Sequence, residues 1–467
     1  MKRRGYFYVA LATTLNVIIY ALTLGRYLWL EGRVRGGVFR NWGRRYRYRP
    51  ENFLKPSTEE EIVALVKKAK GVRFYGAAHS FNNGVVADET LFSLDNYKGI
   101  LWKNLETKQV AFKGGTRIRE CAKLLLDEGL AFGALPSHDA QSIAGIISTD
   151  VHGTGRDWGF VSFWVESFKL VDGQGVVHEC KRGDDLFKTA IGGIGAPGII
   201  FEVVVKAVDR FNVEQKVHMS NLTRVENNFE QLFAENEHMS LYLFPFTNKC
   251  QVNTWNKTED EKSVLGPLRE FLSISNDALL SAWFGGFMAN SGLLPKLSRL
   301  AYSFKIGTDL VMESNKAFNR TIYPLHQELE FTIPFEKTFE MCRRFIKLYE
   351  DMYREEKLPY ALFEIRFTPA GHDLTLIGAG HDRHSTWINL VLNDSTGFER
   401  YYAAAEDLMK EEGVDARPHM GKYCQSFTPA DMQRLHGQNF TKFIQIARQH
   451  DPEGKFVGDY TRRTFGL

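Results

Sequence analysis

The chain has 467 residues, 44% of them hydrophobic, with a formal net charge of +3. It is too long for one ordinary core, so two or more domains are expected, and too weakly basic to point to a nucleic-acid binder. The five cysteines, Cys121, Cys180, Cys250, Cys342 and Cys424, are widely spaced with no C-x-x-C, which indicates neither a disulfide framework nor a zinc cluster and predicts buried free thiols. His381 and His384 are the closest histidine pair, and no third ligand follows at tetrahedral spacing, so no metal is expected.

The N-terminal region is read first. Residues 5–25 carry no charge, and an apolar run of about 20 residues is what a bilayer-crossing helix needs. Residues 1–32 are therefore expected to be a single-pass membrane anchor, with residues 6–30 meeting lipid in the endoplasmic reticulum or a mitochondrial membrane. A cleaved signal peptide and a mitochondrial import sequence are the competing readings; the second fits the absence of any acid before Glu31. Lys2, Arg3 and Arg4 precede the span, while eight arginines from Arg26 to Arg49 follow it against one acid, so the positive-inside bias favours a cytoplasmic globular part.

Thr58 to Ala69 predicts a helix capped by Ser57 or Thr58, leading into a strand at Val72–Tyr75. A strand at 109–112 and a helix from Ile118 to Glu128, ended by Gly129, come next. Residues 168–171 and 175–180 read as a hairpin turning at Asp172-Gly173-Gln174. A helix at 184–190 and a strand at 199–205 close a first domain, 41–210. The second domain, 211–467, has expected strands at 328–333 and 361–367 around a helix from Phe335 to Arg354. Between 260 and 320 the spacing is helical without recognisable chemistry. The alternation of helices and strands makes the fold class α+β or α/β.

Three glycine-rich strings invite a cofactor. Gly193-Ile194-Gly195-Ala196-Pro197-Gly198 matches G-x-G-x-x-G, but a helix precedes it and a β-branched strand follows, the reverse of the dinucleotide-binding context. The other two carry histidines: Tyr75-Gly76-Ala77-Ala78-His79-Ser80-Phe81-Asn82-Asn83-Gly84, and Gln141 through Gly155 with Ser142, Gly145, Ser148, Thr149, His152 and Gly153. Their glycines permit tight turns and expose backbone N–H groups suited to a phosphorylated cofactor.

These two segments resemble the flavin-binding loops of the vanillyl-alcohol oxidase flavoprotein superfamily. More narrowly, residues 41 to 467 are similar to the sugar-1,4-lactone oxidases, the L-gulonolactone and D-arabinonolactone oxidase branch. The resemblance implies an α+β fold with FAD held in a two-subdomain domain, and an α+β substrate (cap) domain whose C-terminal segment returns to the flavin. The FAD contacts it implies are Tyr75, Gly76, Ala77, Ala78, His79, Ser80, Asn83 and Gly84 from the first loop. The second loop would add Ser142, Gly145, Ser148, Thr149, His152 and Gly153, with Gly198 and Ile199 near the adenine. Many members carry, at the position of His79, a histidine joined covalently to the flavin; a loop histidine beside noncovalent FAD is the alternative. His152 fits a turn residue as well as a direct role.

Two features face the substrate. Glu364 and Arg366 lie two apart on a strand and share one face, which also describes an ordinary solvated ion pair. Relatives have a matching Glu-x-Arg in the substrate pocket and a C-terminal His-Trp-x-Lys. Here Arg417-Pro418-His419-Met420-Gly421-Lys422 keeps His419 and Lys422 and puts Met420 in place of the tryptophan, an expected change in the pocket wall. The implied catalytic set is Glu364, Arg366, His419 and Lys422. Asp150 also departs from the usual glycine or threonine, and Gly114-Gly115 are expected to leave room for oxygen at the flavin. The implied reaction is oxidation of an L-gulono-, L-galactono- or D-arabinono-1,4-lactone by hydride transfer to FAD, with O2 reduced to H2O2 and an ascorbate-type product. An alditol oxidase, a lactone dehydrogenase using cytochrome c, and a flavin-carrying scaffold without catalysis are the alternatives.

Overall fold

A computed structural model describes Ile18 and residues 32–87, 89–264, 266, 268, 292–301, 307–319, 325–370, 373–393 and 397–467. Apart from Ile18, the expected anchor segment 6–30 lies outside the described residues. Among them, no helix is long and apolar enough to cross a membrane.

Two sheets dominate the first half, beside a small antiparallel one at 33–48 and a two-stranded pair of Leu130–Ala131 with Val208–Asp209. A small parallel one has the order Asn52–Leu54, Thr90–Ser93, Val72–Tyr75. Crossing between its outer strands is the helix Glu59–Lys68, where Thr58 accepts a hydrogen bond from the Glu61 amide, three acids occupy the first turn and two lysines the last. That charge order complements the helix dipole. Ile62 and Val66, one turn apart, point inward to Val72, Phe92 and Ile199. The second sheet is five-stranded and antiparallel: Val177–Lys181, Val165–Val171, Ile199–Lys206, Gln109–Lys113, Ile100–Asn104. Its hairpin pairs Val171 with Val177 around Asp172, where the sequence puts the turn.

The second half is dominated by an eight-stranded antiparallel sheet in the order Thr308–Glu313, Asn212–Asn221, Lys249–Thr258, His238–Leu243, Ala361–Thr368, Ser385–Asn393, His326–Pro334, Arg417–Pro418. One face packs Leu241, Leu329, Phe331, Phe363, Ile365 and Ile388 against the helices Thr338–Glu356 and Phe398–Lys410. The opposite face is polar yet buried. Registers align Glu330 with Asn389, Asn389 with Glu364, Glu364 with Tyr242 and Tyr242 with Gln251. A neighbouring row runs Thr332, Trp387, Arg366, Ser240, Asn253. Burying such a row without function is costly.

The C-terminal segment returns to the first half. Phe456 enters the core of the parallel sheet, the Val72 amide donates to the Lys455 carbonyl at 2.8 Å, and the Arg73 guanidinium donates to the Phe456 carbonyl. All five cysteines are free and buried.

Candidate functional site

A cleft with an empty volume of about 1150 Å³ opens between the two halves. Tyr75 through Ser80, Gly84, Ser142, Gly145, Ser148, Thr149 and His152 line it, as do Arg366, His419 and Lys422. Residues more than three hundred positions apart in sequence thus meet at one surface.

At one end the two glycine loops face each other. Gly76 leaves no room for a side chain, since a Cβ there would sit 1.9 Å from the Ser142 Oγ. That hydroxyl caps the helix Ile143–Ser148 by accepting from the Gly145 amide. Ala78 takes a left-handed backbone, φ 51°. Among the described residues, the amides of Ala77, Ala78, His79 and Ser80 donate to no carbonyl, which leaves a concavity of N–H groups suited to an anion. The hydroxyls of Ser148 and Thr149 are used within the helix, on the Ala144 and Gly145 carbonyls. Arg73, unrecognised in the sequence, also lines the cleft; it donates to the Gly84 carbonyl at 2.6 Å and the Ile194 carbonyl at 3.1 Å.

His79 is clamped. Trp42 stacks on it at 4.5 Å and His138 lies 4.2 Å away, centroid to centroid. Its Nε2 is buried without a hydrogen-bond partner. Burial first, then Lys422 and His326, pull its pKa down to about 3, so the ring is neutral with a lone pair available. His138 lines the same wall, and no spacing in the sequence marked it.

At the other end Glu330 is the hub. Its carboxylate accepts from Arg366 Nη2 at 2.5 Å and lies 3.4 Å from Lys422 Nζ and 3.2 Å from His152 Nε2. Glu330 is fully buried. Sequence reasoning missed it because Glu328-Leu329-Glu330-Phe331 alternates polar and apolar residues as an ordinary half-exposed strand does. Lys422 is shared with Glu328, to which it also donates. Burial pulls Lys422 down to about 7. It also opposes the charge on Arg366, yet Glu330 and Glu364 hold that group above its ordinary value.

The two histidines here have opposite tautomers. His152 Nδ1 is 2.9 Å from the Gly153 carbonyl, so the neutral ring aims its Nε2 lone pair at Glu330. The Gly421 amide donates to His419 Nδ1 at 2.8 Å, which leaves the proton of neutral His419 on Nε2. Burial keeps His419 neutral, down to about 4, although Glu330 works the other way. His152 also stacks on Trp387 at 3.6 Å.

Several expectations need correction. Glu364 is off the cleft lining and 3.9 Å from Arg366 Nε, so Glu330 is the nearer partner. Met420 points into the core, 3% exposed, where its sulfur accepts from the Tyr460 hydroxyl; the cleft wall is unaffected. Gly198 packs on Leu170 and Val171, and Ile199 lies in the core; Ile194 is the residue of that turn on the cleft. Asn83 and Gly153 are adjacent to the lining without forming part of it. Gly114 and Gly115 press on the backbones of Phe201, Leu94 and Tyr97, so they hold strands close and make no space for oxygen. Arg417, ahead of His419 in the same segment, pairs with Asp382. Asp150 acquires an explanation: at φ 48° it accepts from His381 at 2.8 Å and from Ser162.

Comparisons with known proteins find a family for the chain. Residues 50–181 match an FAD-binding domain and residues 203–464 match the D-arabinono-1,4-lactone oxidase family. The chain is similar to an L-gulono-1,4-lactone dehydrogenase of Mycobacterium tuberculosis, with 25% identity over 92% of this chain and 99% of the relative. It is equally similar to an L-gulonolactone oxidase of Scyliorhinus torazame, 25% over 92% and 98%. Among solved structures, a cholesterol oxidase from B. sterolicum shares the fold, with a TM-score of 0.75 at 17% identity over 92% of this chain and 97% of the other. The cleft, with its unpartnered loop amides and orphaned buried His79 Nε2, fits the FAD that the first of these matches implies. More than half of the chain matches one family, and the protein belongs to it: the D-arabinono-1,4-lactone oxidase family of FAD-dependent enzymes.

Proposed function

We propose that the protein oxidises a hydroxyl of an aldono-1,4-lactone in this cleft, with Arg366, His419, Lys422 and Glu330 as catalytic residues and Glu364 as a positioning residue. The observation that carries the reading is the continuity of one cleft from the glycine loops to the buried Arg366–Glu330–Lys422 cluster. When bound, FAD supplies the two-electron acceptor for a hydride. The chain supplies the rest. Alcohol oxidation must remove the hydroxyl proton, and the Glu330 carboxylate with the His152 Nε2 lone pair 3.2 Å away is a buried acceptor for it. Arg366 and the His419 Nε2–H hold the substrate oxygens, and the Lys422 cation balances developing negative charge. Glu364 acts through Arg366.

The finer features follow the same reading. His79, neutral and with a free nitrogen, is the candidate for a covalent bond to the flavin. The loops contribute Tyr75 to Ser80, Gly84, Ser142, Gly145, Ser148, Thr149 and His152 to FAD binding, with Arg73 beside them. O2 is the electron acceptor, the product is of the ascorbate type, and the uncharged segment 5–25 anchors the enzyme in a membrane. Turnover of L-gulono-, L-galactono- and D-arabinono-1,4-lactone with one H2O2 per product tests this. Reduction of dyes or cytochrome c without peroxide would make it a dehydrogenase, a name one relative carries; preference for open-chain polyols would make it an alditol oxidase.

A further inference from the structure

Outside the cleft, a second cluster of ligating side chains joins the two halves. Asp172 sits in the hairpin between Val165–Val171 and Val177–Lys181, His178 lies on the second of these strands, and His450 is the last residue of the helix Gln438–His450. The Asp172 Oδ2, one ring nitrogen of His178 and one of His450 all lie within 4.8 Å of one another. Asp172 Oδ2 is 2.7 Å from His178 Nε2 and 3.6 Å from His450 Nδ1. The rings meet edge to face, 4.8 Å between centroids at 88°.

The support around the three is built. Asp172 Oδ1 accepts from the amides of Gln174 and Val176, both at 2.9 Å, which orients the carboxylate and leaves Oδ2 for the histidines. The hairpin is fastened to the helix end, because the Gly173 amide donates to the His450 carbonyl at 2.8 Å. Asp172 is buried while His178 is 28% and His450 15% exposed, so solvent reaches one side. The helix end contributes the negative pole of its dipole.

We propose that Asp172, His178 and His450 form a binding site for a divalent ion of the zinc class, completed by water, that clips the C-terminal segment to the FAD-binding half. Two imidazoles and one carboxylate are a donor set for Zn2+. Tetrahedral bonds of about 2.0–2.2 Å set donors roughly 3.3–3.5 Å apart. The Asp172–His450 separation already fits, and the Asp172–His178 hydrogen bond opens by about 0.6 Å to admit the ion. The cleft holds another His–Glu–His group, His152, Glu330 and His419. There Arg366 and Lys422 already neutralise the carboxylate, and a dication would face two cations. On the hairpin, the carboxylate acting on His450 is that of Asp172, and no lysine or arginine is paired with Asp172 among the described residues.

The full chain with FAD bound, stripped with a chelator and titrated with ZnCl2, tests the proposal. One saturable equivalent is expected, with a rise in melting temperature that chelator reverses, because a ligand of the folded state stabilises it by mass action. CoCl2 in place of zinc is expected to give the visible absorption of a tetrahedral site. His178→Gln and His450→Gln, tested separately so that one misfolding variant does not end the experiment, each lose more than about tenfold in affinity and lose the cobalt band. Lactone turnover without metal stays unchanged in both, since neither residue lines the cleft. Absence of a saturable equivalent in the unaltered chain, or unweakened binding in either folded variant, overturns the site.

Discussion

Glu330→Gln separates the hub role of Glu330 from the Glu-x-Arg pairing that the sequence suggests. The Arg366 side chain is 8% exposed, with Glu330 at 2.5 Å and Glu364 at 3.9 Å. At an effective dielectric of about 20, Coulomb's law gives roughly 6.6 kcal/mol for the first separation and roughly 4.3 for the second. Desolvation cancels much of either, and breaking one side of a buried pair costs about 3–5 kcal/mol. Glutamine keeps an acceptor oxygen for Arg366, so a loss of about 3 kcal/mol is expected for Glu330→Gln and about 1 kcal/mol for Glu364→Gln. Catalysis should suffer more. Removing the proton acceptor costs about 10²–10⁴ in turnover, whereas Glu364→Gln, acting only through Arg366, stays within about tenfold. Urea unfolding of the flavin-loaded protein reads the first quantity and steady-state lactone oxidation the second, with the flavin spectrum as control for cofactor retention. A Glu330→Gln enzyme within 1 kcal/mol and tenfold of the parent, or a costlier Glu364→Gln, would refute the assignment.

Other consequences are equally open to measurement. In His79→Ala, flavin should pass into the supernatant on acid precipitation, whereas in the parent it stays with the pellet; equal partition in both would deny the covalent bond. Lys422→Met should abolish turnover and keep the flavin. Because burial pulls Lys422 to about 7, its ammonium form is complete below that pH and is lost as pH rises through it. The kcat/KM profile should therefore fall on an alkaline limb near 7, and Lys422→Arg, charged throughout, should lack that limb. Met420→Trp places a large ring in a packed core and should cost about 1–3 kcal/mol in thermal stability, with the lactone KM unchanged within about twofold; a large KM shift would return this side chain to the cleft. Asp150→Gly relieves a left-handed backbone worth about 1 kcal/mol and strands the buried His381 at about 1–3 kcal/mol. Net destabilisation in a thermal melt is the expected result, and a more stable variant would show that the Asp150–His381 hydrogen bond contributes nothing.

The elements legible in the sequence are those whose information is local. Thr58 with Glu59 to Glu61 announces a helix start, and Asp172-Gly173-Gln174 between β-branched runs announces a hairpin; both form where expected. The helix expected from Phe335 begins at Thr338, after a single tighter turn at 335–337. The glycine string at 193–198 has a helix before it and a strand after it, the order its sequence predicts and the reverse of a dinucleotide site. What periodicity cannot give is the neighbour across a sheet. Glu330 belongs beside Arg366 only because the Ser385–Asn393 strand lies between their strands and sets their registers.

The same limit explains Met420. In a linear motif, a residue between His419 and Lys422 looks like a pocket residue. The segment instead turns sharply: the Gly421 amide reaches back to His419 Nδ1, and the Phe81 amide bonds the Gly421 carbonyl. His419 and Lys422 then face the cleft while Met420, with its carbonyl held by the Asn82 amide at 2.6 Å, faces the core. The turn that fixes the His419 tautomer is thus tied to Asn82 of the first glycine loop. The loop proposed for the cofactor and the residues proposed for substrate share one backbone scaffold, and a change at Asn82 should disturb proton positions at His419 without touching it.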